Sequence, residues 1–364
     1  MTCNNASRSK KLSPPRRRGI SWQRHIFSGI NTDSGGIQNF FVEYIAVNPA
    51  PASDQVVLNR KPEPPAPGKR RPGVRSEPPR YILVRAGSFG PQGIIFENFA
   101  APRELVWNKK ENLLFFKQSI LGPSELSGAI KQSSVIYSLF SDSRRKDTFA
   151  WNFAIKDKAL LNAHLRSRGR EWFCSGAYAA LKGSVKSNND QAAFASGPIL
   201  SYSESFSSKE IPSYWFHISA MHLISKITNG DIKNSCVIAH SFQKNSAAVF
   251  LNLEGQIITF KPANSRKYAH AAGCTRTDGN LHWNVSTENK RYMLDIDMFC
   301  APPEMKLLGY DSPAGKGSLL SVFSGATGAG ELRLYRRLKK GLELLVHADI
   351  LNARCEYGVQ DIKE

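Results

Sequence analysis

Short runs dense in β-branched and aromatic residues recur along most of this chain, separated by turn residues, which is the rhythm of strands. The run 37–47, Ile-Gln-Asn-Phe-Phe-Val-Glu-Tyr-Ile-Ala-Val, is dense in β-branched and aromatic residues and stops at Asn48-Pro49, a turn signal. Similar short runs at 81–85, 93–99, 112–120, 126–132 and 148–155 predict a meander. The rhythm resumes through 213–227, 235–242, 247–260, 282–286, 291–300, 305–309, 331–338 and 342–353. Glu254-Gly255 and Asp278-Gly279 read as two-residue hairpin turns within it.

One interval departs from this pattern. Over 157–172, the residues Ala159, Leu160, Leu161, Ala163 and Leu165 favour a helix, with Asp157 as its N-cap. The expected architecture is therefore all-β: two antiparallel barrel or sandwich halves joined by a short connecting helix. No alternation of strands with helices argues for a parallel sheet. The boundaries drawn are a disordered basic tail at 1–19, an N-terminal half at 20–195 and a C-terminal half at 196–364. The proline-rich stretch 49–79, with Pro64-Pro65 and Pro78-Pro79, reads as a surface insertion in the first half.

The 364 residues suffice for two packed cores, and 41% hydrophobic and 10% aromatic residues are ordinary for a folded chain. A net charge of +19 invites a nucleic-acid reading. Its distribution argues against one: roughly half the excess lies in the first 80 residues, at Arg8, Lys10-Lys11, Arg16-Arg17-Arg18 and Lys69-Arg70-Arg71, among Pro and Ser. A solvated basic tail, with weak contact to an anionic membrane surface as its alternative role, fits better. The six cysteines are scattered without a CxxC or a Cys/His pair at metal-ligand spacing, so reduced thiols and no metal are expected. The basic start is followed by no apolar stretch, which predicts neither signal peptide nor membrane span, and hence a cytoplasmic protein.

Candidate chemistry is sparse. The glycine run 325–330 lacks the Lys-Ser/Thr pair of a phosphate loop and reads as a tight turn before a strand at Glu331. Glu43, Asp295, Asp297 and Glu356 are carboxylates with apolar neighbours, which burial would turn into general acids. Trp22, His25, Tyr44, Trp215, His217, Trp283 and Tyr357 could line an apolar pocket, although ordinary core packing explains them too. No nucleophile elbow is present, and Cys174 has no motif around it.

Ser21-Trp22-Gln23 with Phe27-x-Gly29, then Phe40-Phe41-Val42-Glu43-Tyr44 ending in Asn48-Pro49, resembles the opening of bacterial tocopherol cyclase-like proteins. Leu308-Gly309-Tyr310, Pro313-x-Gly315, the glycine run, Leu334-Tyr335 and Ala353-x-Cys355-Glu356-Tyr357-Gly358 resemble that family's closing strands. The resemblance implies a pair of lipocalin-like barrel halves, a scaffold shared with carotenoid hydratases. It further implies an apolar isoprenoid partner, no cofactor, and cyclisation by protonation of a prenyl double bond. On that basis Glu43 or Glu356 is the expected acid, and Trp22, Tyr44, Trp215, His217, Trp283 and Tyr357 the expected substrate-binding walls. Two departures favour the alternative of a non-catalytic carrier. Glu204-Ser205-Phe206-Ser207-Ser208 stands where relatives carry Asp-Lys-x-Trp-Gly, and Phe173-Cys174-Ser175-Gly176 stands where they carry Trp-His-Ala-Glu-Gly.

Overall fold

The computed structural model describes residues 2–5, 14–31, 35, 37–50, 52–58, 77–122, 125–132, 147–155, 159–178, 181–187, 190–194, 201–261, 270–315 and 317–360. The described residues form antiparallel strands and two three-residue 3-10 turns, with no α-helix among them. The strands make two sheets, of 15 and 11 strands. In the first, the run through Ile95–Ala100, Tyr81–Ser88, Ile37–Val47 and Ile20–Asn31 continues to Asp190–Phe194, Leu181–Ser187, Asp147–Ile155 and Glu125–Gln132. It curls enough to bring Ile95–Ala100 against Glu125–Gln132.

The expected helix over 157–172 is a hairpin. Ala159–Ser167 pairs antiparallel with Arg170–Tyr178, and the turn between them holds Arg168 and Gly169 at φ of 47° and 78°. Leu161, Ala163 and Leu165 are buried while the residues between them are not, a spacing of two rather than 3.6. Burial of one strand face overrides the helix propensity of Leu and Ala. The N-cap assigned to Asp157 lies outside the described residues.

Three further readings change. Ser201–Ser208, placed by composition in the second half, pairs with Arg170–Tyr178 and Ile20–Asn31 and so belongs to the first sheet. Within the tail 1–19, Thr2–Asn5 is a strand along Ala159–Ser167, and the Arg16 side chain donates to the Gly169 carbonyl. The glycine run is no turn. It lies mid-way in the 20-residue strand Leu319–Leu338, at register shifts between Gly325, Gly328 and Gly330, and lets one strand bend while serving two neighbours. A Cβ on Gly330 would stand 2.0 Å from the Asp297 carbonyl oxygen, so only glycine permits that approach. Residues 59–76 of the proline-rich stretch lie outside the described residues. The two hairpin turns hold: Glu254-Gly255 and Asp278-Gly279 all take positive φ. No helix among the described residues is long and apolar enough to cross a membrane.

Several strands are buried on both faces, as sheets covered on both sides are. In Ile37–Val47 the residues Phe40, Val42, Tyr44 and Ala46 enter one core inside the first sheet, while Phe41, Ile45 and Val47 enter a second. That second core lies between the sheets. It joins Ile20, Trp22 and Phe206 of the first to Trp215, Ile238, Phe250, Leu308 and Val322 of the second. A third core, with Phe216, Val249, Trp283 and Cys355, fills the other face of the second sheet. The seam between the sheets is thus an apolar layer shared by both.

Candidate functional site

Charged residues interrupt that layer. Arg24 takes the place of an apolar residue between Trp22 and Ile26, Glu43 between Phe41 and Ile45, Glu204 between Tyr202 and Phe206, all on the seam face of the first sheet. Arg354 and Glu356 do the same on Gly341–Gln360 of the second. Arg24, Glu43, Glu204, Arg354 and Glu356 are each at most 2% exposed.

Arg24 is the hub. Its Nε and Nη2 donate to Glu43 Oε1 at 3.0 and 2.8 Å. Across the seam its Nη1 pairs with Glu356, and Nη2 reaches the Tyr310 hydroxyl. Tyr310 in turn donates to Glu43 Oε1 at 2.8 Å. Arg85 donates to Glu43 at 3.2 Å and to the half-buried Glu97 at 2.7 Å. Arg354 Nη2 contacts both Glu204, at 2.8 Å, and Glu356, at 2.6 Å. Glu356 also accepts from the Trp215 indole N–H at 2.7 Å and from Ser324 at 2.6 Å, and Glu204 accepts from Trp172 at 3.0 Å. Removing one member of such a set leaves a buried charge without compensation.

Glu204 and Glu356 are not equivalent. Burial would raise Glu356, but Arg24 and Arg354 outweigh it and hold this group well below the usual carboxylate range. Burial, reinforced by Glu356, pushes Glu204 up to about 8 against the pull of Arg24. Two carboxyls sharing the same cations cannot both ionise freely, and Glu204 keeps the proton. Burial lowers His217 to about 4, with Glu356 opposing and Arg24 adding to it, and burial lowers His25, on the face of Ile20–Asn31 away from the seam, to about 3. His240, stacked on Trp172 at 4.0 Å and 9°, is lowered well below its ordinary value, chiefly by burial and then by His217.

Next to Arg354 the seam opens into a cavity of about 230 Å³. Ile26, Ile37, Met221 and Ala326 form its apolar wall, Tyr202, Ser219 and Arg354 are also among its lining residues, and the His222–Asp231 pair, 3.2 Å apart, lines it too. Among the described residues Arg354 Nε and Nη1, the Tyr202 hydroxyl and Ser219 Oγ are buried with no hydrogen-bond partner. Arg354 lies over the Tyr202 ring, 4.7 Å from its centre. These atoms have essentially no surface open to the cavity, and Trp22 Nε1, His25 Nε2 and Ser201 Oγ are buried without a partner in the same way. Among the described residues, no three His, Cys, Asp or Glu side chains group as metal ligands do.

Of the residues singled out from sequence, Glu43, Glu356, Trp22, Trp215 and His217 meet at the seam. Trp22 stacks on Tyr310 at 4.6 Å and lies 5.2 Å from Trp215. Tyr44 faces the other way, into the first sheet's own core, where it donates to the Ile120 carbonyl and accepts from Trp151. Trp283 fills the second sheet's core and donates to the Glu356 carbonyl at 2.9 Å, while Tyr357 packs edge-on against Tyr214. None of these six aromatic and histidine residues is among the cavity-lining side chains. Sequence reading passed over Arg24, Arg85, Tyr202, Glu204, Ser219 and Arg354. The available signal was a charged residue set two places from apolar ones on each side.

No family model matches the chain, and no curated protein matches it. Among solved structures, one from Nitrosomonas europaea carrying the provisional designation AttH aligns over 96% of this chain and 99% of its own, at 11% identity and a TM-score of 0.45. A likeness that distant bears on neither ligand nor mechanism.

Proposed function

We propose that this protein binds an apolar small molecule in the cavity at the seam between its two sheets. The observation that carries this reading is a cavity at the seam walled by Ile26, Met221 and Ala326, with the polar residues Tyr202, Ser219 and Arg354 also in its lining. An apolar enclosure with a few convergent polar groups is the usual form of a small-molecule site. The volume, about 230 Å³, lies below the range of roughly 300–1,000 Å³ for drug-sized ligands, so the cavity accepts a compact molecule or one end of a longer one.

Native mass spectrometry of the purified chain, before and after incubation with apolar ligands, tests the reading. One ligand per chain, lost when Met221→Trp fills the cavity, supports it; ligand retained by that variant contradicts it.

A second reading, acid-promoted cyclisation of a prenyl substrate as in tocopherol cyclase-like proteins, draws on one observation: Glu204 keeps a proton near neutral pH. Binding is preferred because Glu204 stands behind Arg354 and does not itself line the cavity. Glu356, held well below the usual carboxylate range by Arg24 and Arg354, is a poor proton donor for that reaction. An isomeric, ring-closed product from a prenylated hydroquinone, abolished by Glu204→Gln, would establish it; unchanged substrate would dismiss it.

A further inference from the structure

The hairpin that joins Leu319–Leu338 to Gly341–Gln360 outruns the strands on both of its sides. On one side Tyr292–Cys300 pairs with it only as far as Arg336, and the last bond runs from the Arg337 N–H to the Arg291 carbonyl at 2.8 Å. On the other side His222–Ser225 pairs with residues 348–351, and the last bond runs from the Lys226 N–H to the His347 carbonyl at 2.8 Å. Beyond those points the ribbon is two strands wide among the described residues, and Lys339-Lys340 make its turn between Leu338 and Gly341. A two-stranded ribbon has no core of its own. Leu345 and Val346 still pack on the second sheet's core, whereas residues 336–344 are all exposed.

Leu338, Leu342 and Leu344 are 52%, 50% and 45% exposed, and Ile227, in the turn after Lys226, is 65% exposed. Single exposed leucines are ordinary, but three within seven residues at the end of a projecting ribbon form a patch. Among them stand Arg336, Arg337, Lys339 and Lys340, with Lys290 and Arg291 exposed in the adjoining turn. The carboxylates of these two segments, Glu288 and Glu343, already pair with Arg337 and Arg336. The other four cations make no ion pair with the described residues.

Leucines and cations are interleaved along the same nine residues, so one partner must satisfy both at the same depth. A nucleic acid would neutralise the cations and leave the leucines in water. The buried centre of a protein interface would reward the leucines, but lysine is depleted there. The boundary of an anionic bilayer serves both, because leucines enter the acyl region while Lys and Arg reach the charged head groups. Leu344 lies about 10 Å along its strand from the turn, within the depth of roughly 5–10 Å to which interfacial segments sink.

We propose that the ribbon tip, residues 336–344, docks on an anionic phospholipid bilayer, with Leu338, Leu342 and Leu344 in the interface and the interleaved Arg and Lys side chains on the head groups. The tip shares no residue with the lining of the seam cavity, so this contact does not depend on the ligand reading.

Sedimentation of the full chain with vesicles of phosphatidylcholine alone, and of an equimolar mixture with phosphatidylserine, tests it. The variants are the pair Leu338→Ser and Leu342→Ser, the pair Lys339→Gln and Lys340→Gln, and the single change Leu342→Trp. All change exposed positions and so leave the fold intact, which thermal unfolding verifies. Mixed vesicles are expected to bind wild type roughly tenfold tighter than phosphatidylcholine does, and each pair of changes is expected to weaken that binding roughly tenfold. In Leu342→Trp the fluorescence is expected to be quenched by brominated acyl chains beyond any quenching in wild type.

Equal affinity for the two vesicles, absence of binding, or a Leu342→Trp signal that brominated lipid does not touch would overturn the proposal. Vesicle binding that both pairs leave unchanged would place the contact elsewhere on the chain and overturn it too. Loss with the lysine pair alone, together with duplex DNA binding tighter than mixed vesicles, would assign the tip to nucleic acid instead.

Discussion

Replacing Arg24 with methionine removes the one side chain that contacts Glu43 on its own sheet and Glu356 and Tyr310 on the other. Methionine fills a similar volume, so the change is one of charge more than of packing. Glu356 keeps Arg354 and Glu43 keeps Arg85, but each loses its shared cation in a region at most 2% exposed. Breaking a buried pair in this way costs about 3–5 kcal/mol, a large share of the 5–15 kcal/mol by which domains are stable. The cost must depend on pH. Arg24 lowers the proton affinity of Glu356 and Glu204, so without it both bind protons more tightly in the folded state; the penalty grows as pH rises above about 4.5 and shrinks as protonation relieves it on acidification. Urea unfolding of wild type and variant at pH 8 and pH 5.5 measures both quantities. A penalty below about 1 kcal/mol at pH 8, or one that grows on acidification, would refute the view that this network is dry and charge-coupled.

His25 and His217 are held near 3 and 4 by burial and His240 well below 6.5, so the unfolded chain takes up protons that the folded chain refuses. Lowering the pH from 6.5 to 4.5 should therefore cost about 4 kcal/mol through His25 and His217, and more through His240, while relief at Glu204 returns about 2; a midpoint in urea that does not fall over this window would contradict the assignment. Glu204→Gln should raise stability at pH 8 relative to pH 5, because the folded state no longer has to hold a proton that the unfolded chain gives up above 4.5; the opposite trend in denaturant titrations would mean an ionised, salt-bridged Glu204. Gly330→Ala should destabilise by about 3 kcal/mol through its clash with the Asp297 carbonyl, read as a drop in thermal midpoint, with no loss if the strand can relax.

The all-β character was legible because it rests on local spacing, and so were the turns at Glu254-Gly255 and Asp278-Gly279. The interval 157–172 misled because Ala and Leu are good helix formers; the period-two row Leu161, Ala163, Leu165 and the turn at Gly169 carried the stronger signal. Half of the seam was visible as Trp22, Glu43, Trp215 and Glu356, but Tyr44 and Tyr357 show the limit of such reading. In a strand buried on both faces, adjacent residues enter different cores, and apolarity alone does not say which face carries the site. The cavity itself joins Ile26 and Tyr202 to Ser219, Met221 and Arg354. That juxtaposition comes from packing one sheet on the other, for which no local pattern in the chain is a signal.

Photo-crosslinking with benzophenone is the most direct test of where the ligand lies, because the ketone inserts on irradiation into the C–H bonds that surround it. The account predicts labelled peptides from both sheets, centred on Ile26, Met221 and Ala326, with labelling suppressed by Met221→Trp. Labelling confined to the inner core around Tyr44 and Trp151, or to the second sheet's core around Trp283, would place the ligand inside one sheet and contradict a site at the seam.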